Sequence, residues 1–211
     1  MMTVTEPMTV ATDYLLGLLT VCLGGLLLRQ GHHDRCRSIM LWGRGFLATG
    51  LAAWAGGTFH GFQEILGPVG RVFLWKGTVF AVGLAGFFLL AGALWNSVSG
   101  KTRRWLVLAA LVKLLGFMGW MAVHDEFRYV IYDYAPALVI ILGLQIWCWL
   151  QFRSPAAPWI AAGILVSVLA AVIQAARLAP HPQFNHNDLY HVVQMAAFVL
   201  LYRGGRLLRD R

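Results

Sequence analysis

Charge is what this chain has least of. Lys, Arg, Asp and Glu make up 12% of its 211 residues, and only nine of them are acidic. A soluble domain carries about 25% charged residues. A chain this poor in charge and 59% hydrophobic has too little polar surface to face water on all sides. Cysteine is also scarce. Cys22, Cys36 and Cys148 all lie away from the side read below as external, so no disulfide framework is expected. Strand-length alternation of ~10 residues, the mark of a membrane barrel, is missing, and runs such as Leu106–Leu115 show no period of two. Long linkers, low-complexity tracts and repeats of ~20–50 residues are missing too. Met1–Asp13 lacks a basic n-region, so no cleavable signal peptide is expected.

What the chain does have is apolar segments. The spans read as Tyr14–Leu28, Ile39–Phe59, Val72–Trp95, Trp105–Val123, Tyr129–Trp149, Pro158–Ala176 and Leu189–Tyr202. About 20 apolar residues cross a bilayer core. In lipid such segments must be helices, because each backbone N–H and C=O needs a partner within the segment. The joining loops are short, which makes consecutive helices antiparallel neighbours. The expected fold is therefore all-α integral membrane, a single seven-transmembrane-helix bundle over residues 1–211. A multi-pass protein of a bacterial-type plasma membrane is the expected location.

The basic residues give orientation. Arg29, Arg35, Arg37 and Arg44 flank the first loop; Lys101, Arg103 and Arg104 fill the third; Arg153 is in the fifth. Arg203, Arg206, Arg209 and Arg211 end the chain. An excess of Lys/Arg marks the cytoplasmic side, so the N-terminus is expected outside and the C-terminus inside. The other side carries Glu6, Asp13, Glu64, Asp125, Glu126, Asp133 and Asp188. The net charge of +8 thus reads as topology and contact with anionic membrane lipids. No nucleic-acid partner is expected.

The ionisable residues of the outer side form three groups. His60 and Glu64 close segment two, His124, Asp125 and Glu126 close segment four, and His186, Asp188 and His191 open segment seven. If the helices continue, His60 and Glu64 share a face at i and i+4, and Asp188 and His191 share one at i and i+3. Imidazole and carboxylate together suit zinc, and a catalytic zinc keeps three protein ligands and a water. The plainer alternative is structural: Asn185 or Asn187 as a helix cap, and Asp188 favoured by the helix dipole. Two lysines lie inside spans. Lys76 is expected to pair with Glu64 or Asp188, and Lys113 has no carboxylate at its expected depth.

The stretch Gly56-Gly57-Thr58-Phe59-His60, with Asn187-Asp188-Leu189-Tyr190-His191 later in the chain, resembles the superfamily of alkaline ceramidases, progestin/adiponectin-type receptors and Per1-like proteins. That superfamily is seven-helical, with Ser-x-x-x-His late in helix two and His-x-x-x-His early in helix seven. Its histidines hold zinc, and its enzymes hydrolyse lipid amides. Here Gly56 stands at the serine position, Asn187 at the first helix-seven histidine, and Arg71 where the family has an acid. The resemblance implies zinc held by His60 and His191, with His186 or Asp188 as the third ligand and Glu64 in place of the missing acid.

The expected function is a zinc-dependent integral-membrane hydrolase of a lipid amide or ester at the non-cytoplasmic face. In it Glu64 or Asp188 moves protons, and Thr58 or Asn187 steadies the oxyanion. The alternatives are a receptor or assembly factor without catalysis, and a small transporter or haem-binding redox protein with His60 and His191 as axial ligands.

Overall fold

The computed structural model describes residues 4–181 and 183–211. Among them lie seven α-helices: α1 (Pro7–His33), α2 (Arg37–Phe62), α3 (Pro68–Ser97), α4 (Gly100–Val123), α5 (Phe127–Phe152), α6 (Ala157–Ala175) and α7 (His186–Gly205). Five of them, α1, α3, α4, α5 and α6, are long and apolar enough to cross a membrane by length and composition. The other two carry more polar groups. α2 has Arg37 and Arg44 near its start, and α7 has Asp188, His191 and Gln194.

Local chemistry sets the helix starts. Proline in the first turn of α1, α3 and α6 loses no intrahelical bond, since those first N–H groups have no helical partner. A capping box opens α7. Asn185 Oδ1 accepts from the N–H groups of Asn187 (2.7 Å) and Asp188 (3.3 Å), and Asp188 Oδ2 accepts from the Asn185 N–H at 2.7 Å. Each expected segment falls on one helix, but most helices are longer. α1 begins at Pro7 rather than Tyr14, so Thr9, Thr12 and Asp13 are helical.

The helices close into a ring of α1, α2, α3, α5, α6 and α7, in which α7 packs back on α1. α4 leans on α3 and buries a single stripe, Ala110, Leu114, Phe117 and Met121. That spacing of three and four residues is one helix face. The large core side chains, Leu27, Trp42, Phe46, Ile160, Phe198 and Leu201, gather where α1, α2, α6 and α7 meet, with Phe46 edge-on to Phe198 at 5.0 Å.

Small residues set the helix spacing. A Cβ on Gly204 would sit 3.0 Å from the backbone N of Ile160 and 3.1 Å from the Ala156 carbonyl, both backbone atoms that cannot swing aside. Gly204→Ala should therefore push α7 off α6 and cost about 1–3 kcal/mol. Gly143 faces open space, and Gly143→Ala should be close to neutral. Equal melting temperatures for the two variants would show that the α6–α7 approach is not tight.

Candidate functional site

The buried stripe of α7 changes character along its length. Its lower part is Ala197, Phe198, Leu201, Gly204 and Gly205, and its upper part is Asp188, His191 and Gln194. The stripe of α1 that faces it is likewise polar at the top, with Thr9, Thr12 and Asp13 above Leu16 and Gly17. Helical periodicity puts these residues on the packed faces, so the ring encloses a polar cluster at the end where α1 and α7 begin.

His191 is the centre of the cluster. Its Nδ1 lies 3.0 Å from Thr12 Oγ1, and its Nε2 lies 3.2 Å from Asp13 Oδ1. The Thr12 hydroxyl is also within reach of the carbonyls of Met8 (3.0 Å) and Thr9 (3.1 Å). A hydroxyl has one hydrogen to give. If it goes to a carbonyl, Nδ1 donates to Thr12, and Nε2 and Asp13 share the next proton. If it goes to Nδ1, Nε2–H donates to an ionised Asp13. Either way one proton lies between imidazole and carboxylate.

Asp188 is a second centre. Its Oδ1 accepts from Thr9 Oγ1 at 2.9 Å, and its Oδ2 closes the capping box. The same Thr9 hydroxyl lies 3.1 Å from Glu6 Oε2. The Thr9 hydroxyl has one hydrogen to give and so bridges Glu6 and Asp188. Glu6 Oε1 is in turn 3.9 Å from His60 Nδ1. An open crevice of about 490 Å³, lined by Thr5, Glu6, Thr9, Asn185 and Asp188 among others, runs from the surface to this pair. One turn deeper, Gln194 Nε2 donates to Ser167 Oγ of α6 at 3.1 Å.

The expected site residues separate into two sets. His191, Asp188 and, at the margin, His60 come together. His186 is the first residue of α7 and is half-buried, without a side-chain hydrogen bond or ion pair to His191, Asp188 or His60 among the described residues. Glu64 does not join. α2 stops at Phe62, so the i to i+4 face that would have paired His60 with Glu64 does not form, and Glu64 is exposed in the following turn. Thr58 is bound to Trp54 O (2.7 Å) and Tyr14 Oη (2.9 Å), and Asn187 Oδ1 accepts from Gln174 on α6 at 3.1 Å. Both are held away from His191's ring contacts. The α4–α5 loop makes its own arrangement. His124 stacks on Trp120 at 3.9 Å. The Arg128 guanidinium beside Glu126 holds that carboxyl below the usual range, with the Tyr129 hydroxyl adding to the effect.

Both lysine expectations change. Lys76 pairs with Asp125 at 2.6 Å and donates to the carbonyls of Met121 and His124, not to Glu64 or Asp188. Lys113 does have a carboxylate, Asp133 of α5, at 2.6 Å. The two backbones differ in depth, but the long lysine stem reaches across the difference.

Sequence reading missed Glu6, Thr9, Thr12 and Asp13 as site members. The signal was present: Glu6, Thr9 and Asp13 are spaced i, i+3 and i+7, one face of a helix, provided the helix starts before Tyr14.

For zinc, the donors present are committed to one another. Among the described residues no three His, Cys, Asp or Glu side chains are grouped to hold a metal ion. Both nitrogens of His191 and both oxygens of Asp188 contact protein partners. To hold zinc, His191 or Asp188 would have to exchange one of these contacts for the metal.

The model of a family of unknown function, DUF6962, matches residues 8–210. The chain belongs to this family. A comparison with curated proteins finds no match. The matched range takes in α1 from Met8 onward, and with it Thr9, Thr12 and Asp13 as well as the whole of α7.

Proposed function

We propose that this DUF6962 protein is a seven-span membrane protein, N-terminus outside. Its α1–α7 cluster is the acid–base centre of a hydrolase that cleaves a lipid amide or ester at the outer face. The observation that carries the reading is buried His191 held between Thr12 and Asp13. A polar group placed inside a membrane bundle is costly and by default functional. In this reading Thr12 releases His191 Nδ1 to a water, Nδ1 takes its proton as the water attacks the acyl carbon, and the proton passes to the leaving group. Asp13 on Nε2 orients the ring and balances the imidazolium. The crevice reaches Thr9 and Asp188, one helical turn from His191, and serves as the lipid's entry from the outer leaflet.

The test has two parts. Reporter fusions at Thr102 should read cytoplasmic and fusions at Glu126 non-cytoplasmic. Purified protein screened against ceramides, phospholipids and acylated lipids should cleave one class. If it cleaves none, a receptor or assembly role becomes the better reading.

Zinc is the second reading, favoured by His60, which reaches the edge of the same cluster. Its ligands would be His60, His191 and either Asp188 or His186, and binding would require His191 to give up a present contact. About one zinc per purified chain, lost in His60→Ala and in His191→Ala, would establish it. Metal-free protein that still hydrolyses lipid would exclude it.

A further inference from the structure

At the opposite end of the bundle, four arginines surround one tryptophan. Trp95 closes α3. Arg103 of α4 lies over its ring, with Cζ 3.7 Å from the centroid, and Arg37 of α2 approaches at 4.8 Å. Two surface cavities share Trp95 and Arg37. One, of about 400 Å³, adds Arg103, Arg104, Val107, Leu108 and Leu111. The other, of about 210 Å³, adds Met40, Leu41 and Arg44. Each therefore has a cationic end and an apolar wall.

Two features, taken with the shared tryptophan and the cavities, mark this place. First, among the described residues none of the four guanidinium groups lies within 4.0 Å of an Asp or Glu side chain. Arg103 Nη1 donates to the oxygen of Arg211, the last residue of the sequence, at 2.6 Å; a guanidinium has five N–H groups, so donors remain for a further anion. Second, Arg44 is exposed two turns into α2, about 10 Å along the axis from Arg37. Arg37, Met40, Leu41 and Arg44 stand at i, i+3, i+4 and i+7, so they form one outward stripe. An arginine facing hydrocarbon at that depth needs an anion that comes to it or a stem that carries it to the interface.

We infer that this face binds an anionic phospholipid. Its phosphate is held by Arg37, Arg103 and Arg104 around Trp95, its glycerol region lies toward Arg44, and its acyl chains run along Leu41, Leu108 and Leu111. Stacking on Trp95 pre-orients two of the guanidinium groups, which suits bidentate contact with phosphate oxygens. The apolar walls favour a lipid over a free phosphate. The inference rests on the membrane reading but not on the hydrolase.

Native mass spectrometry of the full chain in detergent, with added phosphatidylglycerol or phosphatidylcholine, tests it. Wild-type protein should retain phosphatidylglycerol preferentially. Arg44→Gln combined with Arg103→Gln should lower that preference roughly ten-fold or more, since each basic group at an anionic surface contributes about 1 kcal/mol. Arg29→Gln combined with Arg203→Gln, basic residues elsewhere at the same end, should leave it within about two-fold. If the Arg44/Arg103 variant does not fold, Arg104→Gln, exposed and outside the Trp95 stack, should give a smaller loss in the same direction. Unchanged preference in the Trp95-site variants overturns the site, as does an equal loss in the Arg29/Arg203 control. Inorganic phosphate that raises the melting temperature as much as phosphatidylglycerol would make it a small-anion site instead. Failure of the membrane reading shows separately, as wild-type protein fractionating with soluble proteins.

Discussion

His191→Ala should abolish most lipid hydrolysis, with a loss of roughly 10²–10⁴-fold, the usual contribution of a positioned general base. Asp13→Asn should fall in the same range by a different route. The carboxamide keeps the shape and the reach to Nε2 at 3.2 Å, but it cannot balance an imidazolium or hold the shared proton. Thr12→Val removes the Nδ1 contact at 3.0 Å and should cost less, because the ring keeps its carboxylate. Glu64→Gln is the informative contrast. Glu64 is exposed beyond the end of α2, so its variant should work at close to the wild-type rate. These measurements use the lipid class found in the screen. All four proteins should show the wild-type helix content by circular dichroism, so that lost activity is not lost fold. If Asp13→Asn retains full rate while Glu64→Gln loses it, the catalytic acid belongs to the α2–α3 turn and the α1–α7 cluster is a structural plug.

The helical architecture was readable because its cause is local. An apolar run too long for a strand, bounded by Pro, Gly or charge, has one outcome in lipid. The capping role of Asn185 was readable for the same reason. The site was half readable. His191 and Asp188 stood out because they interrupt an apolar run. Asp13, Thr9 and Thr12 did not, because a hydropathy reading starts the first segment after them, at Tyr14. Those residues are helical because Pro7 starts α1 seven residues earlier. Their importance comes from α7 packing on α1, a contact between the two ends of the chain that no local pattern carries. The His60–Glu64 pairing failed on a boundary. Gly61 and Gly67 bracket a turn at the end of α2, and one lost helical turn separates an i, i+4 pair. The Lys113 partner was missed because depth was read from backbone position alone, without the length of the lysine stem.

That lysine carries the second large effect. Lys113 of α4 and Asp133 of α5 are 2.6 Å apart, the lysine side chain 36% exposed and the aspartate 8%. α4 stands outside the ring and packs on α3 through one stripe of four residues, so this pair is a principal tie between α4 and α5. Breaking a fully buried pair costs about 3–5 kcal/mol, because it leaves a charge in an apolar surround without a partner. Here the partial exposure of Lys113 lets its stem move the ammonium toward polar surroundings, which reduces the cost to about 2–3 kcal/mol. The two single variants should differ. Lys113→Met strands the more buried group, Asp133, and should lower the unfolding free energy in detergent more than Asp133→Leu, which strands the more exposed one. Replacing both, Lys113→Met with Asp133→Leu, removes the charges together and should recover most of the loss, since an apolar pair needs no partner in this setting. The double-mutant cycle would then give a coupling of about 2 kcal/mol. Single variants as stable as the wild type, with no coupling, would mean that the ammonium and carboxylate are each satisfied separately, and that the apolar stripe on α3 alone holds α4 in place.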